Sequence, residues 1–188
     1  MKKLFFAVCI LVCACTNHTP ENGMLVKDFF SLHYTGLQTA GIKMIPISTP
    51  VGDFHVWTKS IGNNPRIKVL LLHGGPAMTH EYMECFESFF PREGFEIIEY
   101  DQLGSYYSDQ PTDSSLWTVD RFVNEVEQVR SQLGLTKDNF YILGNSWGGI
   151  LGMEYVLKYP DNAKALIVSN MMASGPDYGK YNLELQKQ

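Results

Sequence analysis

The spacing of hydrophobic residues along the chain changes near residue 60. Before it, residues 41–48 and 54–58 carry apolar and β-branched side chains on either side of Pro50-Val51-Gly52-Asp53. Strand-like segments that flank a turn rich in Pro and Gly are typical of an antiparallel hairpin. We therefore predict a β-hairpin over residues 41–58.

After residue 60, short aliphatic runs alternate with segments of helical length. The runs are Val69 to Leu72, Phe95 to Tyr100, Phe140 to Leu143 and Ala165 to Val168, and the helical segments span about 80–90, 118–133 and 147–159. Continuous aliphatic strands separated by helices indicate a mostly parallel sheet covered on both faces. The pattern thus predicts an α/β fold, in which ligands bind beyond the carboxyl ends of the strands.

The segment 118–133 has the clearest helical pattern. Its apolar positions share one face, and the charged residues expected away from that face are Asp120, Glu125, Glu127 and Arg130. Gly134 is the expected stop of this helix, and Pro160 is the expected end of the helix over 147–159.

The N-terminus has the pattern of an export signal. Lys2 and Lys3 precede an apolar run of Leu4 to Ala14, which is shorter than the ~20 residues that a membrane-spanning helix needs. The junction Val12-Cys13-Ala14-Cys15 resembles a bacterial lipobox. We therefore expect Cys15 to be lipidated and the protein to be an exported, membrane-anchored lipoprotein on the periplasmic or cell-surface side. The alternative is an ordinary signal cleaved near Ala14.

Composition narrows the class of protein. A chain of 188 residues with 45% apolar residues is long enough for one globular core, and a net charge of −5 argues against nucleic acid as a partner. Apart from the signal segment and Cys15, the only cysteine is Cys85, so we predict no disulfide and expect a buried structural thiol in a helix.

A possible metal motif begins at His80-Glu81. Metalloproteases of the H-E-x-x-H type require a second histidine at position 84, and this chain has Glu84 there. We therefore predict no metal site and no cofactor, and interpret the segment as a solvated helix face.

The strongest chemical motif lies between a strand and a helix. Gly144-x-Ser146-x-Gly148 matches a nucleophile elbow, in which glycines permit a sharp turn that exposes a serine hydroxyl above the sheet. The start of the following helix favours negative charge that develops there. We predict Ser146 as a catalytic nucleophile.

Two further loops also follow strands. Acyl transfer needs hydrogen-bond donors for the oxyanion, and the sequence His73-Gly74-Gly75-Pro76 places the backbone N–H of Gly75 to act with that of Trp147. We expect His73 to order this loop rather than to act as the base. Asp101, at the end of the next strand, is expected to hold its own loop by accepting backbone N–H groups.

With these motifs, the chain resembles the proline iminopeptidase family of α/β-hydrolases. The resemblance covers most of residues 41–175 and rests on HGGP, DQxGxxxS, the helix beginning WTVDRFVNEVEQVR, and GNSWGG. It implies an α/β-hydrolase fold and a serine peptidase that releases an N-terminal residue, often proline, from short peptides. Ala77 and Tyr106 stand where the family usually has glycine. Cleavage of other amino-acid amides or arylamides is equally compatible.

The catalytic machinery is incomplete along this chain. In this fold the triad runs Ser, Asp, His, but all five histidines (18, 33, 55, 73 and 80) precede Ser146. Neither Asp161 nor Asp177 matches the expected acid. We therefore expect this polypeptide alone to be nearly inactive, because its serine lacks a base.

The resemblance also divides the chain. We expect a signal peptide over 1–14, a tether and lead-in over 15–40, a partial α/β-hydrolase domain over 41–175 and the start of a truncated lid over 176–188. The expected partners are a short peptide or amino-acid amide substrate and the membrane that holds the lipid anchor; the oligomeric state stays open.

Other functions remain compatible with the sequence. One is an esterase or amidase of the same fold. Another is a non-catalytic, lipid-anchored binding protein on a degenerate hydrolase scaffold, which the missing histidine favours and the serine elbow disfavours. A base donated by a second chain is a further possibility.

Overall fold

Six strands form one mixed sheet in the computed structural model, which describes residues 41–187. The strands are β1 (Ile42–Thr49), β2 (Gly52–Ile61), β3 (Lys68–Leu72), β4 (Glu96–Tyr100), β5 (Phe140–Asn145) and β6 (Ala165–Ser169). Their order across the sheet is β1-β2-β4-β3-β5-β6. The hairpin β1–β2 is antiparallel, β2 runs antiparallel to β4, and β4, β3, β5 and β6 are parallel. The predicted α/β arrangement is therefore present.

In the described part of the chain, three α-helices and two 3₁₀ helices connect or follow the strands. The α-helices are α1 (Val119–Gln132), α2 (Trp147–Lys158) and α3 (Gly175–Leu185), and the 3₁₀ helices span Glu81–Ser88 and Ser114–Leu116. Thr118 caps α1 because its hydroxyl accepts the N–H of Arg121 at 3.3 Å. None of these helices within residues 41–187 is long and apolar enough to cross a bilayer. The predictions for the signal, the tether and Cys15 lie outside the described residues.

The sheet has an apolar core on each face. The larger core joins the sheet to α1 and α2 and includes Leu70, Ile98 and Tyr100. The smaller core lies under the first 3₁₀ helix and includes Leu71, Ile97 and Met83. Because successive strand residues point to opposite faces, neighbouring residues of β3 and β4 enter different cores. Burial on both faces explains the continuous aliphatic runs of these central strands.

The polar face predicted for α1 is only partly exposed. Glu125, expected away from the apolar side, is 1% exposed and pairs with the buried Arg121 of the same helix. The Glu125 carboxylate also accepts the Tyr100 hydroxyl and the backbone N–H of Leu103, the latter at 3.0 Å. The hydrophobic pattern missed this burial because a charged residue enters a core when several donors satisfy it. The pair joins α1 to the loop after β4.

Two predictions for the segment 80–88 are wrong. His80 is 3% exposed rather than on a solvated face, because its ring bonds to the buried Asp101. Cys85 is exposed rather than buried. The segment is a 3₁₀ helix of about three residues per turn, so Met83 and Phe86 share the inward face and Cys85 does not.

The outer edge of β6 is unpaired within residues 41–187. This strand bonds only to β5, and the Ile167 side chain is 45% exposed. An exposed apolar strand edge is a template for pairing between chains. We predict that the purified chain associates through β6 and that Ile167→Lys raises the monomeric fraction in size-exclusion chromatography with light scattering. Leu157→Lys, on the exposed surface of α2, is the matched control. If both variants raise the monomeric fraction equally, association through the β6 edge is ruled out.

Candidate active site

Ser146 lies at the junction of β5 and α2 in a strained backbone conformation. Its φ is +54° and its ψ is −118°. A non-glycine residue in such a region costs about 1–3 kcal/mol and persists only where surrounding contacts enforce it. One such contact is the Ser146 N–H, which donates to the carbonyl of Ser169 at the end of β6 at 2.9 Å. Two neighbouring strands therefore set the position of this serine.

The flanking glycines allow backbone to pack directly on backbone. A Cβ atom at Gly148 would lie 1.9 Å from the carbonyl oxygen of Leu72 at the end of β3. A Cβ atom at Gly144 would lie 2.2 Å from the carbonyl oxygen of Gly148. Neither overlap is relieved by moving a side chain, since the opposing atoms belong to the main chain. The pattern G-x-S-x-G is thus required by the close approach of α2 to β3 and β5.

The loop after β3 lies against the serine. A Cβ atom at Gly74 would be 3.2 Å from the Ser146 Cβ. The Gly74 N–H is already used, because it donates to the Tyr82 hydroxyl at 2.7 Å. The Gly75 N–H donates to no protein acceptor among residues 41–187, and Trp147, the first residue of α2, has no intrahelical acceptor for its N–H. These two backbone donors remain available for an oxyanion.

His73 is fully buried, and both of its ring nitrogens are engaged. Nδ1 lies 2.8 Å from the carbonyl of Gly74, and Nε2 accepts the N–H of Gln102 at 3.0 Å. This arrangement places the ring proton on Nδ1. Burial lowers the pKa of His73, which favours the neutral ring. His73 therefore joins the loops after β3 and β4 and has no free nitrogen to accept a serine proton.

Asp101 holds the start of the loop after β4. Its buried carboxylate accepts the backbone N–H of His80 at 2.9 Å and that of Tyr107 at 3.3 Å. It also bonds to the His80 ring at 2.9 Å. Burial alone would lower the pKa of His80, but the hydrogen bond and charge of Asp101 outweigh it and raise that pKa. Asp101 thus joins the loop after β4 to the start of the first 3₁₀ helix.

Two residues without a role assigned from the sequence connect the three loops. Gln102 accepts the indole N–H of Trp147 at 3.0 Å and donates to the carbonyl of His73 at 3.1 Å. Tyr82 accepts the Gly74 N–H and donates to the Asn145 side chain at 3.1 Å. For Gln102, the sequence evidence was its place in the DQ motif. No sequence pattern pointed to Tyr82, because its hydrogen-bond partners Gly74 and Asn145 lie in other loops.

The two positions where glycine is usual in the resembling family both have left-handed backbone. Ala77 has a φ of +71° and Tyr106 a φ of +32°. Glycine adopts this region without the steric cost that a side chain brings. Ala77 lines the cavity beside Trp147, whereas Tyr106 lines a separate cavity near His80.

An apolar cavity of about 500 Å³ opens beside the candidate donors. Its lining includes Ala77, Leu103, Trp117, Val119, Phe122 and Trp147. Trp117 covers Gly104, where a Cβ atom would lie 2.6 Å from the indole ring. The cavity is large enough for a small apolar side chain and offers little polar surface to a charged one.

No proton acceptor reaches Ser146 within residues 41–187. His55 pairs with Asp109, His73 is engaged in its loop, and His80 is bonded to Asp101. None of these three histidines, and no carboxylate of the described range, hydrogen-bonds the Ser146 side chain. Within residues 41–187, the candidate nucleophile Ser146 therefore has no side-chain proton acceptor.

The chain is similar in sequence to many known proteins of the α/β-hydrolase fold. A family model described as alpha/beta hydrolase fold matches residues 68–185. The proline iminopeptidase of Flavobacterium johnsoniae is 78% identical over 138 residues, which cover 73% of this chain and 46% of that protein. The proline iminopeptidase of Elizabethkingia meningoseptica is 74% identical over 145 residues, covering 77% and 49%.

A solved structure gives the same result for the fold. The crystal structure of the Mycobacterium smegmatis proline iminopeptidase superposes with a TM-score of 0.65 at 30% identity, covering 76% of this chain and 49% of that one. The chain spans about half the length of the curated relatives it matches. The predicted fold class is confirmed.

The glycine requirement of the elbow is testable by single substitution. We predict that Gly148→Ala destabilises the protein by about 3 kcal/mol or more, because the added methyl group overlaps the Leu72 carbonyl. Gly179→Ala in α3 is the matched control: nothing lies within 4 Å of its added methyl group, so a gain of about 0.5–1 kcal/mol is expected. Denaturant unfolding of both variants measures this; equal stability of the two would contradict the packing argument.

Proposed function

The chain belongs to the alpha/beta hydrolase fold family and within it to the proline iminopeptidases, and on this premise we propose that it carries the nucleophilic half of a serine exopeptidase. The reaction removes proline or another small apolar residue from the N-terminus of short peptides or amides. The observation that carries the proposal is Ser146, held at a positive φ against the Gly74–Gly75 loop, while the N–H groups of Gly75 and Trp147 have no acceptor among residues 41–187.

The geometry supports acyl transfer in two steps. Ser146 Oγ attacks the carbonyl carbon of the first peptide bond and loses its proton to a base, while the carbonyl oxygen becomes an oxyanion. The Gly75 and Trp147 N–H groups stabilise that charge, and the positive end of the α2 dipole adds to their effect. The leaving amine takes a proton, and water then hydrolyses the acyl-serine ester.

The proton acceptor is proposed to come from protein outside residues 41–187. Without a base, a serine hydroxyl is a weak nucleophile, and an oxyanion hole with binding alone keeps only about 10³–10⁴ over water in the serine-protease template. We accordingly propose that the 188-residue chain by itself turns substrate over slowly. The intact enzyme is proposed to complete the triad with an aspartate and a histidine.

The cavity beside Trp147 supports the choice of substrate. Its apolar walls favour a side chain such as that of proline or alanine and disfavour a charged one. Ala77 occupies part of this wall. We propose that the side chain of the released residue binds there.

The roles of Ser146 and His73 are separable by mutation of the intact protein. Ser146→Ala is expected to lower kcat by about 10⁴–10⁶, since it removes the nucleophile. His73→Gln is expected to lower it by about 10²-fold or less, because it only displaces the oxyanion loop. Steady-state kinetics with prolyl arylamide, with thermal melting as the folding control, measures both. A loss for His73→Gln equal to that for Ser146→Ala would make His73 the base.

Substrate choice separates the peptidase from the esterase and from the binding protein. The intact protein is expected to cleave prolyl and alanyl arylamides, and to leave the same compounds uncleaved when their amino group is acetylated. Turnover of aryl esters without arylamides would favour an esterase. Tight binding of either compound with no turnover would favour the non-catalytic scaffold.

A further inference from the structure

Beneath the Asp101 loop, a group of charged side chains takes no part in the proposed reaction. It lies between β2, β4 and the 3₁₀ helix Glu81–Ser88. One nitrogen of His80 and one carboxylate oxygen each of Glu84 and Glu99 lie within 4.8 Å of one another. A cavity of about 420 Å³ adjoins them and is lined by His80 and Glu84, among others.

Glu99 is the unusual member of this group. Its side chain is 0% exposed, and neither carboxylate oxygen has a hydrogen-bond partner. The nearest cation is Lys59, whose Nζ lies 3.7 Å from Glu99 Oε2 but only 2.5 Å from Glu87. The main ion pair of Lys59 is therefore with Glu87, and its interaction with Glu99 is weaker. A buried carboxylate without hydrogen-bond donors is costly unless a cation compensates its charge or it takes up a proton.

His80 is oriented as metal-binding histidines are. Its Nδ1 lies 2.9 Å from Asp101 and donates to that carboxylate, so Nε2 is the nitrogen left to bind a metal ion, which displaces any proton there. Nε2 lies 3.8 Å from Glu84, and the ring stacks on Trp57 with 4.2 Å between centroids. A carboxylate that fixes the far nitrogen of a ligand histidine is the usual outer-shell arrangement.

We propose that His80, Glu84 and Glu99 bind one divalent transition-metal ion. One imidazole nitrogen with two carboxylate oxygens suits an ion of the Zn²⁺ class better than Mg²⁺ or Ca²⁺, which prefer oxygen alone. Glu84 is half exposed and provides the side from which an ion enters. Ligand atoms about 2 Å from one ion lie no more than about 4 Å apart, so the three atoms must move closer together when an ion binds.

The ion would fasten the first 3₁₀ helix to the sheet. Glu99 belongs to β4, while Glu84 lies in the 3₁₀ helix and His80 precedes it. The same helix carries Tyr82, which holds the oxyanion loop through Gly74. The role inferred is structural, so binding raises the melting temperature by mass action. This assignment departs from the sequence-based expectation of no metal, which interpreted His80 as exposed.

The experiment is calorimetric titration of the metal-stripped chain with Zn²⁺, and with Mg²⁺ for comparison. One Zn²⁺ per chain is expected, with a higher melting temperature and much weaker binding of Mg²⁺. Glu99→Gln and Glu84→Gln should each weaken Zn²⁺ binding by at least about tenfold. Glu81→Gln is the matched control, because it lines the same cavity without belonging to the ligand set.

Glu84→Gln keeps the test decisive if Glu99→Gln fails to fold, since Glu84 is half exposed. X-ray absorption of the Zn²⁺ complex should show nitrogen and oxygen neighbours. No Zn²⁺ binding, equal binding by the wild type and Glu84→Gln, or a sulfur neighbour from the exposed Cys85 would each overturn the proposal.

Discussion

Direct contact between the start of α2 and the end of β3 is the constraint on which the site depends. The backbone of Gly148 approaches the Leu72 carbonyl so closely that no side chain fits between them. Because β5 must turn into α2 within this space, Ser146 takes a positive φ. The two strand ends that flank the contact also supply the loop of Gly75 and the N–H of Trp147. One backbone contact thus fixes the candidate nucleophile and the candidate oxyanion donors together.

Polar side chains then hold the loops that this contact brings together. His73 and Gln102 join the loop after β3 to the loop after β4, and Gln102 continues to the indole of Trp147. Tyr82 supports the opposite side through Gly74. His73 and Gln102 are buried and Tyr82 is 40% exposed, and each is hydrogen-bonded to a neighbour, as buried polar groups in proteins usually are. Preorganised donors of this kind do not need to rearrange when charge develops at the site.

Sequence patterns predicted the structure correctly where a residue's role depends on its neighbours along the chain. The strands, the helices α1 and α2 and the elbow around Ser146 depend on periodicity and on glycine spacing, which are visible along the chain. Burial of His80 and Glu125 was not visible, because it depends on partners from other elements, Asp101 and Tyr100. A hydropathy pattern treats every charged residue as solvated. The exceptions are set by tertiary hydrogen bonds, which no local pattern contains.

Ser146 is proposed to lie within reach of the unused N–H groups of Gly75 and Trp147. A crystal structure of the intact protein with a prolyl boronic acid tests this most directly, because boronates form a tetrahedral adduct with a nucleophilic serine. The account predicts boron bonded to Ser146 Oγ, with one boronate oxygen within hydrogen-bond distance of both N–H groups. An adduct on another residue, or a boronate oxygen directed away from both donors, would contradict it.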